Sequence, residues 1–365
     1  MKVLALSSYG VLAGAELSIA EFLAHRPAGI EASAFLVEDG PLRAHLESIG
    51  VPAQAPRHDY DGRPGPAAIA RFTGELRAVL RRERPDVVWA TGLKAATLAV
   101  PACRLARVPL VWHKVDFSLD EKIARPLGTA VNAVVGVSHA VTDALGERLK
   151  ARRVLGVVGP PMRLPADARV VPASDPPAIG TLGRLIPIKG HEHIIRAAAA
   201  LSGEYPELRV ILAGDTSPDY PDERDRLLAL GEELGLGARL ELVGYTSDVL
   251  GVLSRLTVFI SATYRDADGF GWEGLSGSML EASWVGLPVV ATTGGGTPEG
   301  VVDGETGTLV PPEDSALIAE ACAPYLRDPA LAARAGEAGR AFTRANFEPG
   351  IASARLFAML GEAAR

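Results

Sequence analysis

The sequence predicts a chain of two doubly wound α/β domains in tandem. Short apolar runs alternate with amphipathic helical patterns in the first half, and the alternation restarts after a proline-rich segment. This alternation is typical of βαβ units, in which helices cover both faces of a parallel sheet. The length of 365 residues also favours two domains, because one domain commonly holds roughly 100–200 residues.

The first predicted domain covers residues 1–160 and contains buried strands separated by helices. Apolar runs place these strands at 3–6, 34–37, 86–90, 110–113 and 134–137. Helical patterns occupy 14–25 and 71–82. Strands that read as nearly continuous apolar runs are covered on both faces, which indicates a parallel sheet.

A linker is predicted at 161–177, where prolines are concentrated. The second domain, 178–345, repeats the strand and helix alternation. Its predicted strands are 178–182, 209–213, 240–243, 258–260 and 288–291. The remaining residues, 346–365, contain a helical pattern at about 349–363 that we expect to return to the first domain.

Composition excludes several classes of protein. Hydrophobic residues make up 48% and charged residues 22%, as in ordinary globular proteins, and two cysteines cannot form a disulfide framework. The apolar run at the N-terminus is too short for a signal peptide, and no run approaches the roughly 18 residues of a membrane span. We therefore expect a cytoplasmic protein, with the inner face of the membrane as an alternative location.

Charge is unevenly distributed along the chain. Residues 1–160 carry 20 basic and 16 acidic side chains, a balance of +4, whereas the rest carry 17 and 28, a balance of −11. Because no long basic face emerges, nucleic acid is excluded as the main partner. The basic stretch 71–84 could contact anionic lipid through the N-terminal domain, although a solvated helix face is the favoured interpretation.

The first chemical motif is Gly-Arg-Leu-Ile-Pro-Ile-Lys-Gly-His at 183–191. It follows a predicted strand and opens a helix, so Arg184 and Lys189 lie beside a helix N-terminus. Backbone N–H groups and two cations together form a site for a diphosphate. The alternative is two solvated cations on a surface loop.

The second motif contains two carboxylates, Glu273 and Glu281. Glu281 is expected on a helix that begins near Gly277, and Glu273 in the loop before it. Small residues between them allow a ligand to approach the backbone, and carboxylates accept hydrogen bonds from vicinal hydroxyls. The alternative is a helix-capping acid plus a solvated one.

The order and spacing of the motifs resemble the GT4 family of glycosyltransferases. The similarity is dense over 180–345 and looser over 1–150, where Gly14-Ala15-Glu16 is the clearest match. Besides the two motifs above, it includes Leu-Ala-Gly-Asp at 212–215, Gly-Leu-Pro-Val-Val-Ala at 286–291, Gly-Gly-Thr-Pro-Glu at 295–299 and Gly-Thr-Leu-Val at 307–310.

The resemblance implies the GT-B fold, in which two Rossmann-like domains face each other across a cleft. It also implies a retaining glycosyltransferase that moves a hexosyl-type sugar from a nucleotide sugar, with UDP as the default, to a hydroxyl acceptor. The acceptor could be a glycan, a lipid-linked glycan or a small natural product. Neither a cofactor nor a bound metal is expected.

The resemblance also implies roles for single residues. Arg184 and Lys189 would neutralise the departing diphosphate, Glu273 would contact hydroxyls of the donor sugar, and Glu281 would hold the ribose. His113 would lie near the donor sugar, with a packed, hydrogen-bonded histidine as the alternative. Four glycines are expected at the donor: Gly14, Gly183, Gly295 and Gly296.

The register of the acidic pair depends on a choice between two carboxylates. Asp268 resembles the family's usual first acid, but Ser276 stands eight residues later, so we assign the role to Glu273. The preceding loop contains aromatic residues that could stack on sugar faces: Tyr264, Phe270 and Trp272.

Two other functions remain open at this stage. A nucleotide-sugar epimerase of the same fold would share the diphosphate site but would need acid and base carboxylates. A non-catalytic subunit that binds sugar nucleotides would keep the site without turnover.

Overall fold

The computed structural model describes residues 1–58, 60, 65–118, 120–172, 175–267, 269 and 271–365, without the side chains of residues 120 and 121. It divides into two compact units, here called the first domain (1–162 with 346–365) and the second domain (163–345). Each is built around one sheet in which neighbouring strands run parallel. The predicted α/β class with two doubly wound domains is therefore confirmed.

The first domain contains a seven-stranded sheet in the order β3-β2-β1-β4-β5-β6-β7. Its strands are β1 (Lys2–Ser7), β2 (Glu31–Leu36), β3 (Ala53–Gln54), β4 (Val87–Thr91), β5 (Leu110–Lys114), β6 (Ala133–Gly136) and β7 (Val154–Val157). Its helices are α1 (Gly14–Ala24), α2 (Pro41–Ser48), α3 (Pro66–Glu83), α4 (Leu93–Ala106), α5 (Arg125–Ala130), α6 (His139–Asp143) and α7 (Glu147–Arg153), with α14 (Pro349–Ala363) added from the far end of the chain.

The second domain contains a six-stranded sheet in the order β10-β9-β8-β11-β12-β13. Its strands are β8 (Ala178–Leu182), β9 (Arg209–Ala213), β10 (Leu240–Gly244), β11 (Val258–Ser261), β12 (Val289–Thr292) and β13 (Gly307–Val310). Its helices are α8 (His191–Leu201), α9 (Glu223–Glu233), α10 (Val249–Leu253), α11 (Gly277–Val285), α12 (Ser315–Arg327) and α13 (Pro329–Phe347), the last of which crosses into the first domain at its end.

Three strands of the two sheets are missing from the sequence prediction, namely β3, β7 and β13. All three are end strands of their sheets. β3 and β7 are half-buried throughout and β13 is half-buried at its centre, so they lack the continuous apolar run that marks a central strand. The predicted helix at 71–82 is also longer than expected, since α3 begins at Pro66.

The first sheet carries a hydrophobic core on each face because successive side chains of a strand point to opposite sides. Leu4 and Leu6 of β1 contribute to one core, and Val3 and Ala5 contribute to the other. The second of these cores also includes the inner face of α14, which packs against α1 and the central strands.

The second sheet packs one face against a large apolar cluster built from β8, β9, β11 and the helices α8 and α12. Within the described part of the chain, no helix combines the length and apolar character needed to cross a membrane.

Candidate functional site

The Gly183–His191 segment forms a strand–turn–helix unit at the carboxyl end of β8. Its backbone is held to the end of β9 and the loop after it, because the N–H of Gly183 donates to the Ala213 carbonyl at 2.9 Å and that of Leu185 to the Asp215 carbonyl at 2.8 Å. A short 3₁₀ turn at Pro187–Lys189 then leads into α8. The local geometry predicted for this motif is therefore present.

Gly190 is required where the turn meets α8. Its φ of +68° lies in the left-handed region, and a Cβ there would stand 2.1 Å from the Ala262 carbonyl oxygen. A side chain at this position would therefore force the loop away from β11. The turn that carries Lys189 is fixed in place by this close backbone approach.

Lys189 forms an ion pair with Glu273, which is in the loop before α11. The two side chains are only 23% and 18% exposed. Burial, together with the nearby Arg184 guanidinium, lowers the pKa of Lys189 to about 8, while the opposing carboxylate favours the charged ammonium. Arg184 itself is exposed.

Glu273 is also anchored through its backbone to the glycine-rich loop after β12. Its carbonyl accepts a hydrogen bond of 2.9 Å from the N–H of Gly296, and Gly295 adopts a left-handed φ of +56° beside it. The structure therefore links three predicted site residues directly, Lys189, Glu273 and Gly296, and places the Arg184 charge near Lys189.

Glu281 lies on α11, which begins at Gly277 as predicted and whose N-cap is the Ser276 side chain. The Glu281 carboxylate is nearly buried, and its Oε1 accepts a hydrogen bond of 2.5 Å from Nη2 of Arg163. Arg163 was not predicted as a site residue, because its partner is distant along the chain and the contact depends on how the proline-rich segment packs on α11.

That proline-rich segment is fixed to α11 at two further points. The Trp284 indole N–H donates to the Pro165 carbonyl at 3.1 Å, and the N–H of Val170 donates to the Val285 carbonyl at 2.7 Å. Arg163 is therefore held beside Glu281 by backbone anchors and by its own charge.

The two site residues expected in the first domain show different surroundings. Gly14 begins α1 in an exposed position, and a Cβ there would meet no atom within 4 Å. His113, on β5, is 3% exposed and packs against Phe22 and Trp89 with ring centroids 6.0 Å away in both cases. Burial lowers the pKa of His113 to about 4, so the ring is neutral near pH 7.

The loop before Glu273 is only partly described, and Asp268 and Phe270 lie outside the described residues. Tyr264 packs edge-on against His193, and the Arg265 guanidinium lies 5.0 Å from the centre of the Trp272 ring. Among the residues that the structure describes, no cluster of three or more histidine, cysteine or acidic side chains could hold a metal ion.

Comparison with solved structures shows which fold class the chain belongs to. The chain is similar to the structure of Anabaena HepE in complex with UDP, with a TM-score of 0.83 and 22% identity over 99% of this chain and 100% of that one. This similarity confirms the two-domain GT-B fold.

The second domain is also similar to a known family. Residues 166–342 match the family described as glycosyl transferases group 1. A lipopolysaccharide core mannosyltransferase of Rhizobium leguminosarum bv. viciae is 32% identical over 46% of each chain. A GDP-mannose-dependent phosphatidylinositol monomannoside mannosyltransferase of Mycolicibacterium smegmatis is 34% identical over 51% of this chain and 48% of its own. The chain thus spans about half the length of these two curated relatives.

Proposed function

We propose that the protein transfers a hexosyl-type sugar from a nucleotide diphosphate sugar to a hydroxyl acceptor, with retention at the anomeric carbon and without a bound metal. The observation that carries the proposal is the Lys189–Glu273 ion pair beside Arg184, set in a strand–turn–helix unit of a group 1 glycosyltransferase domain. All three side chains belong to the second domain.

In this mechanism the bond between the anomeric carbon and the diphosphate oxygen breaks, and the acceptor oxygen attacks from the same face. The departing diphosphate takes the acceptor's proton, so no protein nucleophile is needed. Arg184 and Lys189 stabilise the negative charge that develops on the diphosphate, which is where fixed cations lower the barrier most. Gly183, Gly295 and Gly296 allow the donor to approach the backbone.

The two carboxylates have separate roles in the proposal. Glu273 orients the Lys189 ammonium and contacts hydroxyls of the donor sugar. Glu281 accepts hydrogen bonds from the ribose hydroxyls, with its carboxylate oriented by Arg163. We also propose roles for two residues of the first domain, Gly14 in binding the phosphates and His113 in binding the donor sugar.

UDP is the nucleotide that we propose for the donor, supported by the HepE structure with UDP. GDP is the alternative, because the Mycolicibacterium relative is named for GDP-mannose. For the acceptor, the names of both relatives favour a glycan or lipid-linked glycan over a small natural product.

We place the reaction in the cytoplasm, at the inner face of the membrane, where a lipid-linked acceptor would be reached. Contact with anionic lipid through α3 is part of this proposal. Its Phe72, Leu76 and Leu80 are buried in the core, whereas Arg71 and Arg81 are exposed, so such contact would be electrostatic.

Measuring UDP or GDP release tests the proposed function. The purified protein is incubated with UDP-glucose or GDP-mannose, with and without a panel of glycan and lipid-linked acceptors. We expect acceptor-dependent release that is unchanged by EDTA and a product whose anomeric configuration matches the donor. Arg184→Gln should reduce this release. The matched control is Arg327→Gln, which removes an exposed cation of the same domain and should leave the release unchanged.

Two outcomes would contradict the proposed transfer reaction and indicate a different function. An epimer that accumulates from donor alone would indicate the epimerase. Tight donor binding without turnover across the panel would indicate a non-catalytic subunit.

A further inference from the structure

A cavity of about 560 Å³ lies between α5 and α7 in the first domain. Small-molecule sites commonly measure roughly 300–1,000 Å³. The residues around this one are Arg125, Thr129, Leu145, Gly146, Glu147, Arg148, Leu149, Arg152 and Arg153. None of them belongs to the proposed transfer site.

The cavity is strongly basic. Four arginines line it against one carboxylate, Glu147. Within the described part of the chain, no carboxylate forms an ion pair with Arg125, Arg148 or Arg152, whereas neighbouring Lys150 is paired with Asp143. Like charges around one cavity repel each other, and a bound anion would relieve that repulsion.

The floor of the cavity is apolar and fixed. Leu145 is buried, and Leu149 reaches so close to Gly128 of α5 that a Cβ on the glycine would stand 2.4 Å from the leucine Cδ2. This contact holds α7 against α5. One wall is also fixed, because Nη1 of Arg153 donates to the Asn132 carbonyl at 3.0 Å.

A second, smaller cavity of about 280 Å³ in the same domain is lined by Ala130 and Asn132 and contains Arg104 and Arg107. Between these two arginines is Leu105, an apolar side chain that is 59% exposed. Leu110, the first residue of β5, also lines this cavity. The basic region is thus at the amino ends of the strands, whereas Gly14 follows the carboxyl end of β1.

We propose that the cavity between α5 and α7 binds a phosphate-bearing anion, either the headgroup of an anionic lipid or a soluble phosphate ester. Guanidinium groups match the geometry of phosphate oxygens and form paired, charge-assisted hydrogen bonds with them. The apolar floor accommodates the carbon portion of the ester. This site is separate from the α3 contact proposed above and from the donor diphosphate.

Two probes distinguish the sources of the phosphate. Glycerol 3-phosphate is titrated by calorimetry, and vesicles of phosphatidylglycerol or phosphatidylcholine are used in co-sedimentation. Binding to phosphatidylglycerol vesicles alone assigns a lipid headgroup, and binding to glycerol 3-phosphate as well assigns a soluble ester. Both interactions should weaken as salt is added.

Substitutions of the lining residues test whether the cavity is the site at which these probes bind. Arg148→Gln combined with Arg152→Gln should weaken binding of the effective probe about twenty-five-fold, because each arginine near a phosphate surface contributes a factor of about five. Glu147→Gln removes the carboxylate among the lining residues and should strengthen binding. The control combines Arg43→Gln with Arg355→Gln, two exposed arginines of the first domain outside the cavity and α3, and should change binding by less than about twofold.

The proposal is overturned if the wild-type protein binds neither probe, or if the cavity variant binds the effective probe as tightly as the wild type does. The second result would leave lipid contact with α3 alone. Thermal unfolding without probe checks that each variant is folded, which we expect because Arg148 and Arg152 are exposed.

Discussion

The ammonium of Lys189 and the carboxylate of Glu273 form an ion pair that joins the turn before α8 to the loop before α11. Each side chain comes from a different motif of the sequence. The ion pair connects the two motifs directly and restrains both side chains, so less ordering is required when the donor binds.

Donor binding should weaken as the pH rises through about 8, since the pKa of Lys189 is lowered to that value and the neutral amine no longer attracts the diphosphate. Calorimetric titration with UDP between pH 6.5 and 9.5 measures this. Lys189→Arg keeps its charge over the whole range and should flatten the profile. An unchanged slope in that variant would assign the pH dependence to another group.

Replacing Lys189 by Met should lower kcat by a factor of about 10²–10³, because a cation aimed at developing charge is removed. Glu273→Gln keeps the shape of the side chain but loses its charge, and we expect a smaller loss. Steady-state kinetics with saturating acceptor gives both values. Equal, near wild-type rates in the two variants would contradict the assigned roles.

Arg163→Gln should raise the KM for the donor more than it lowers kcat, because the Glu281 carboxylate loses the group that orients it. It should also reduce the free energy of unfolding by about 1–3 kcal/mol, since a nearly buried carboxylate loses its partner. The double variant Arg163→Gln with Glu281→Gln measures the coupling free energy between these two side chains. If the two effects are additive, the contact does not position Glu281.

Gly190→Ala should destabilise the protein by about 1–3 kcal/mol and weaken donor binding, because the alanine would be strained at a φ of +68° and would contact the Ala262 carbonyl. Gly14→Ala is the matched control for stability. A Cβ there meets no atom, so we expect a change within about 0.5 kcal/mol. Urea unfolding curves of both variants provide the comparison.

Folding stability should fall as the pH drops from about 6.5 to about 4, because the unfolded chain protonates His113 before the folded protein does. The full difference amounts to about 3 kcal/mol below that window, by the relation between a pKa shift and free energy. His191, with its pKa lowered to about 3 by burial, adds to the trend. His113→Phe should reduce the slope of unfolding free energy against pH, and an unchanged slope would mean that the pKa of His113 is the same in the folded and unfolded states.

Central strands were predictable from the sequence because burial on both faces leaves an apolar run, as at β8 and β9, whose limits agree with the prediction. End strands such as β3 and β7 could not be predicted in this way. Each has a neighbouring strand on one side only and is half-buried, so its sequence lacks a continuous apolar run. The strand–turn–helix unit around Lys189 was predictable from local spacing, and so was the start of α11. The Arg163–Glu281 contact and the arginine cavity depend on tertiary packing, which spacing does not encode.

Residues 346–365 belong to the first domain although they follow the whole second domain along the chain. Leu356, Phe357 and Leu360 of α14 are buried in its core. During synthesis on the ribosome, the second domain is therefore complete before the first can close its core. A fragment ending near residue 162 would leave that apolar surface open to water, which favours aggregation or chaperone binding until the final helix emerges.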